Sequence, residues 1–555
     1  MSSLAVDFRI LSLRGMAVSA ASFVAFSLLY LLRTAVYNIF FHPLKHIPGP
    51  LSSRASGLPI AFRMRIGTII PWIRAQHEKY GDAVRVAPNE ISFISAETAW
   101  PDIYGFRTGK YKNTGPYLKD HTWFPKQPNQ VASIITAGEE AHSRIRRNVS
   151  HAFSDKALRS QEPLIQSYVD LLIQRLDEHA NQGKTVDIMR WYNFSTFDII
   201  TDLAFGVPLN CLRDSNDHTW ISLVHSFIKA SGILSTRARF PILALYDKLS
   251  ALLSTKPSTV AARIKFFHLA RAQVGARLDK GLDPNRNDFF NFILKNQDKE
   301  TQQLSRGEMD STATTLLLAG SETTATTLSG ATFLLLRNPA AYAKLVREVR
   351  TRFIKASDIT VEAVNGLEYM IACLQESLRV YPPVPTGLPR VVPAGGDYIS
   401  GYYVAAGASV YVSQHATHHS SRNFRDPDCY VPERWLGDER YAEDRREVWN
   451  PFSFGPRNCL GKNLAYAEMR LILAKVLFHF DLKLVDEQDD WMDGQKVFTL
   501  WEKPALMVKV LSVGRGIDSY LRHQGTTHIE PPPLPITTTQ LQFDFLEGCP
   551  TLRRN

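Results

Sequence analysis

The sequence predicts one large, mostly helical domain behind an N-terminal membrane-spanning helix, and three observations carry that prediction. Residues 15–32 (GMAVSAASFVAFSLLYLL) hold eighteen positions without a charge. Residues 60–510 contain no linker and no repeat, and their turn signals are evenly spread. Residues 304–336 run without a proline, with Pro284 and Pro339 outside either end. That run suffices for one helix of about 50 Å, enough to cross a whole domain. Length alone would suggest about three or four domains, and the missing linker outweighs it.

The N-terminal segment comes first. At 1.5 Å per residue it spans about 27 Å, close to the roughly 30 Å hydrocarbon core of a bilayer. Arg14 and Arg33 bracket it, and apolar character resumes through Phe41. Arg33 can snorkel to the interface. The run exceeds the 7–15 residues of a signal-peptide core, so residues 15–41 are expected to anchor the chain, after a short flank at 1–14. Pro43, Pro48 and Pro50 then stiffen a hinge over 42–50, since closely spaced prolines block helix continuation.

Composition narrows the function classes. Lys and Arg number 64 against 54 Asp and Glu, a net charge of +10. Over such a length this is a modest excess, and no basic run interleaves with aromatics, so no nucleic-acid partner is expected. An anionic membrane surface or an acidic redox partner fits better. The five cysteines (211, 373, 429, 459, 549) are scattered, odd in number and without C-x-x-C spacing. A disulfide framework or zinc site is therefore not expected.

Cys459 stands in Phe452-Ser-Phe-Gly455-Pro-Arg457-Asn-Cys459-Leu-Gly461. A thiolate that binds a metal alone needs backbone donors, apolar cover and a following helix whose N-terminus favours its charge. Phe452 can cover the sulfur, Gly455 and Gly461 permit close backbone approach, and the residues from Leu464 read as a helix. These are the surroundings expected for a haem iron held by a cysteine. The stretch resembles the haem-binding loop of the cytochrome P-450 monooxygenases. The resemblance implies a mainly α fold with small β-sheets, a P-450-type haem domain over 51–512, and heme b on Cys459.

At the centre of the proline-free run lies Leu316-Leu-Leu-Ala319-Gly320-Ser321-Glu322-Thr323-Thr324. A mid-helix glycine costs about 1 kcal/mol relative to alanine, and buried polar side chains cost more unless satisfied. The cluster makes sense if a planar cofactor lies on the small Ala319–Gly320 surface, with an alcohol positioning a proton that an acid resupplies. It is similar to the family's A-G-x-[DE]-T-T motif, which implies catalytic roles for Glu322 and Thr323.

Two further groups of residues follow. Glu376-Ser-Leu-Arg379 lies on an apolar helix that stops before Tyr381-Pro-Pro383, and Pro432-Glu-Arg434-Trp435 resembles the family's P-x-R-[FW] element. The resemblance implies a structural triad of Glu376, Arg379 and Arg434. His142-Ser-Arg-Ile-Arg146 places its outer residues on one helix face and resembles the family's propionate motif. Arg390 and Arg457 also stand where the resemblance implies cations for the haem propionates.

The resemblance covers about 43–510. The tail at 513–555, with Pro531-Pro-Pro-Leu-Pro535, has no helical or alternating period and is expected to be irregular. No G-x-G-x-x-G follows a strand, so NADPH is expected to act through a separate reductase, with cytochrome b5 a further candidate partner. Arg144, Arg147 and Lys462 are candidates for the basic face that meets it. The resemblance further implies an endoplasmic-reticulum anchor, a cytosolic catalytic domain and a hydrophobic small-molecule substrate. It is densest for fungal members that oxidise polyketides and terpenoids by hydroxylation, epoxidation or successive steps. A reductase-independent haem-thiolate isomerase or dehydratase, a xenobiotic or fatty-acid hydroxylase, and a haem sensor or electron carrier stay open as alternatives.

Overall fold

The computed structural model describes residues 13–95, 98–109, 115–215, 219–252, 259–283, 286–295, 303–485 and 490–514. The expected tail, apart from Val513 and Gly514, and residues 1–12 of the flank lie outside them. Helix α1 (Leu13–Val36) continues as one π-turn through Tyr37–Phe41. Among the described residues it is the one helix long and apolar enough to cross a membrane, Gly15–Phe41, with mean hydropathy 1.9 and none of its most apolar stretch buried.

The body of the molecule is helical. The elements that position the site are α2 (Glu139–Ser150), α3 (Asp155–Asn181), α4 (Ile188–Phe205), α5 (Thr219–Arg239), α6 (Thr259–Asp279), α7 (Arg306–Arg337), α8 (Glu368–Val380) and α9 (Lys462–His479). Helix α7 is the proline-free run. Ser305 caps it, accepting from the Glu308 amide, and the Glu308 carboxylate closes a capping box back onto Ser305. Such a box satisfies two of the amide donors orphaned at a helix start. Helix α7 packs along α4 and also touches α6, α8 and α9. One core cluster unites these helices, through Phe197, Leu203, Leu317, Leu328, Met370 and Leu471 among others.

Small sheets flank the helices. The largest orders its strands β1 (Ala83–Ala87), β2 (Glu90–Phe93), β5 (Ser409–Val412), β4 (Arg390–Val391) and β3 (Leu118–Lys119). Only the β2–β5 pairing is parallel. Near the C-terminal end a hairpin of β6 (Lys496–Phe498) and β7 (Leu500–Glu502) turns at Thr499. The architecture is the mainly α fold with small sheets that the sequence predicts.

Candidate active site

Cys459 sits in a loop closed by its own amide, which donates to the Phe452 carbonyl at 2.8 Å. Gly455 adopts φ +73°, and a Cβ there would overlap the Tyr104 carbonyl oxygen, so this glycine is required both by conformation and by close approach. Gly461 is different. Its nearest protein neighbour to a Cβ is Phe153 at 3.8 Å, an ordinary contact. Its amide instead serves the sulfur, helping to lower the Cys459 pKa. The Phe452 ring packs on Tyr466 of α9, centroids 5.0 Å apart.

The thiol is exposed, yet burial pushes its pKa above the ordinary value, while the Gly461 amide, Arg146 and Lys462 pull it down. Both statements hold if the sulfur faces an internal surface. Helix α7 shows the same signature. Beyond its first residue, Ala319 is its one exposed position, with Thr323 one turn on partly exposed, in a helix otherwise largely buried. Gly320, partly exposed beside Ala319, also serves packing. A Cβ at 320 would lie 2.6 Å from Ile200 Cδ1 of α4, so the missing side chain lets two helices approach closely.

The acid and alcohol are held apart. Thr323 Oγ1 donates to the Ala319 carbonyl at 2.6 Å, a back-bond common for helical threonine. Glu322 is buried and pairs with Lys503. Nothing in the sequence pattern pointed to Lys503.

Basic groups converge at one place. The pairing of β3 with β4 sets Lys119 opposite Arg390. His142 is buried, and its pKa is pushed down to about 3, first by burial and then by Arg457, Arg146, Lys119 and Arg390. Burial likewise lowers Arg390 to about 10 and drives Lys119 well below the usual lysine value, with Arg390 and Arg457 adding to it. Arg390 is 3% exposed, and its Nε and Nη1 have no hydrogen-bond partner. Unpaired buried cations are costly, and a dianionic group beside them relieves that cost.

Arg457 and Arg146 are partly engaged elsewhere. Arg457 donates to the Ala137 carbonyl at 2.8 Å and pairs with Glu139 at 3.2 Å. Arg146 bonds the backbone and side-chain oxygens of Asn458 at 2.7 and 2.6 Å, so it braces the cysteine loop. Lys119 was missed in the sequence because its two-residue strand gives no periodic signal, and only the sheet register places it beside Arg390.

The triad is formed as expected. Arg379 donates to both Glu376 oxygens at 2.9 and 2.8 Å, and Arg434 Nε donates to Glu376 Oε1 at 3.0 Å. Arg434 also pairs with Asp444, and Trp435 Nε1 donates to Glu376 at 2.9 Å. All three triad side chains are inaccessible to solvent, and each charge has a partner, as burial demands. Of the expected docking residues, Arg144 is committed to Glu308 and the Gln303 carbonyl.

An exposed cysteine in a buried setting, an exposed small residue on a buried helix, and a group of basic residues that includes an incompletely partnered buried Arg390 together fit a thiolate-ligated haem with two propionates. Comparison with known proteins agrees. The family model described as cytochrome P450 matches residues 73–510. Cytochrome P450 monooxygenase lcsI of Purpureocillium lilacinum is 45% identical over 92% of this chain and 97% of its own length. Cytochrome P450 monooxygenase traB of Penicillium crustosum is 45% identical over 92% of this chain and its full length. An averantin hydroxylase of Dothistroma septosporum is 42% identical over 87% of this chain and 90% of its own.

Proposed function

The chain belongs to the cytochrome P450 family, and from that premise we propose how its residues divide the work of a haem-dependent monooxygenase fed with electrons by an NADPH-dependent reductase. Cys459 would hold the haem iron through its thiolate, and a haem so held would supply the oxygen-activating chemistry. Arg390 would neutralise the propionates, with Arg457 near it, Lys119 and the neutral His142 ring would offer them hydrogen bonds, and Arg146 fixes the cysteine loop through Asn458. Thr323, on the exposed face of α7, hands a proton inward, and Glu322 resupplies it. Glu376, Arg379 and Arg434 hold the framework beneath.

Residues 51–512 form the catalytic domain and residues 15–41 the anchor, joined by the hinge at 42–50. The protein is membrane-bound at the endoplasmic reticulum, with the catalytic domain in the cytosol. Its substrate is a hydrophobic small molecule of fungal secondary metabolism, of polyketide or terpenoid type, oxidised by hydroxylation, epoxidation or successive steps. The length and apolarity of Gly15–Phe41 and the fungal relatives, one named for averantin, support this reading.

The observation that carries the proposal is an exposed Cys459 whose pKa burial nevertheless raises, together with an exposed Ala319 in a buried helix and a buried Arg390 with unpaired nitrogens. Its test compares metabolites of a fungal strain expressing the chain with one expressing Cys459→Ala, under isotopically labelled dioxygen. The intact chain alone should yield a product carrying one labelled oxygen atom. Label arriving from water instead would overturn the monooxygenase reading.

A further inference from the structure

The acid assigned to proton supply is held by a lysine that no motif contains. The Lys503 side chain, just after β7, is 0% exposed and that of Glu322 is 1% exposed. Lys503 Nζ donates to Glu322 Oε1 and, at 2.7 Å, to Thr326 Oγ1 one turn further along α7. The other carboxylate oxygen, Oε2, is buried without a hydrogen-bond partner. Glu322 therefore has one oxygen fixed by a cation and one left to receive a proton. The nearby Tyr381 phenol stays protonated, its pKa raised well above the usual value by burial and then by the Glu322 charge.

Successive residues on a helix lie about 100° apart, and Glu322 and Thr323 follow that rule. Thr323 lies on the exposed face and Glu322 on the face covered by the hairpin. The hairpin is itself fixed. Glu502 pairs with Lys229 of α5, and Thr499 at its turn holds φ +87°, unusual for a β-branched residue.

We propose that Lys503 is a positioning residue for proton delivery, one that docks the Glu322 carboxylate against the hairpin and yields it to Thr323 only as the carboxylate takes up a proton. A solvent hydronium ion gives its proton to Oε2, leaving water, and so cancels the charge that binds Glu322 to Lys503. The neutral acid then turns and donates to the Thr323 hydroxyl, which passes its own proton inward. Only O–H bonds form and break, and the carboxylate returns to Lys503. The proposal rests on the Glu322–Thr323 relay read above.

The test uses the full-length, haem-loaded chain with its reductase and three lysine variants. In Lys503→Met, Glu322 loses its counter-charge. A neutral-carboxyl infrared band should appear at neutral pH that the Lys503→Met/Glu322→Gln double variant lacks. Product formed per NADPH should fall several-fold, peroxide release should rise, and the solvent isotope effect on turnover should change. Lys503→Arg should restore all of these. If Lys503→Met fails to load haem, Lys503→Gln, which keeps a donor and lacks only the charge, carries the same expectation. A neutralised variant with no neutral-carboxyl band and wild-type coupling overturns the proposal. Glu322→Gln separates the failures: if it uncouples turnover and the lysine variants do not, Lys503 alone is wrongly assigned. If Glu322→Gln changes nothing, the relay reading falls and this proposal with it.

Discussion

Arg390 carries the sharpest electrostatic imbalance near the site, a guanidinium 3% exposed with two unpaired nitrogens. A hydrogen bond to a charged group contributes about 1.5–3 kcal/mol, which is about tenfold or more in affinity. Arg390→Ala should therefore weaken haem retention by that factor, measured as the haem-to-protein ratio after dialysis, with Arg390→Lys intermediate. Glu468 of α9 is a second buried group with a consequence of its own. It is 2% exposed, and burial pushes its pKa up to about 8, with a hydrogen bond to Thr324 the opposing influence. Between pH 4.5 and 8 the unfolded chain has lost this proton while the folded one keeps it. Stability should thus fall across that window as pH rises, by about 1.4 kcal/mol per unit at most. Glu468→Gln should flatten the dependence of melting temperature on pH there, and an unchanged slope would remove Glu468 from the account.

At the scale of elements, α7 explains how a helix rich in hydroxyls can be a core helix. Thr314, Thr315, Ser321, Thr323, Thr327 and Ser329 each donate to the carbonyl four residues back. Self-satisfied hydroxyls cost little to bury, so most hydroxyls along α7 serve the helix itself. Thr323 differs from the others by facing an exposed surface. Gly320 likewise belongs to packing, and this is testable. Gly320→Ala gains about 1 kcal/mol of helix propensity but drives a methyl into Ile200, an overpacking cost of typically 1–3 kcal/mol. The single variant should melt lower than wild type, and Gly320→Ala should cost less when introduced beside Ile200→Val than when introduced into wild type. An equal cost in both backgrounds would show that α7 and α4 do not meet closely at this point.

For the whole molecule, legibility in the sequence followed the range of the interactions. The long helix, the anchor segment and the Cys459 loop were readable because their signals are local: a proline-free run, an uncharged run, five fixed positions around one cysteine. The Glu376–Arg379 pair was readable at helical spacing, and Arg434 came by resemblance, whereas Asp444 and Trp435, which complete the network, did not. Lys119 and Lys503 were not readable. Each acts through a partner more than 150 residues away, brought close by a two-residue strand pairing in one case and a hairpin in the other. The packing of Gly320 on Ile200 and the Arg146–Asn458 bond were unreadable for the same reason. The central claim rests on Cys459, and the most direct measurement is the carbon monoxide difference spectrum of the reduced full-length protein. Wild type should show the absorption of a thiolate-ligated haem, and Cys459→Ser should lose it. A Cys459→Ser protein with an unaltered spectrum would contradict the account at its centre.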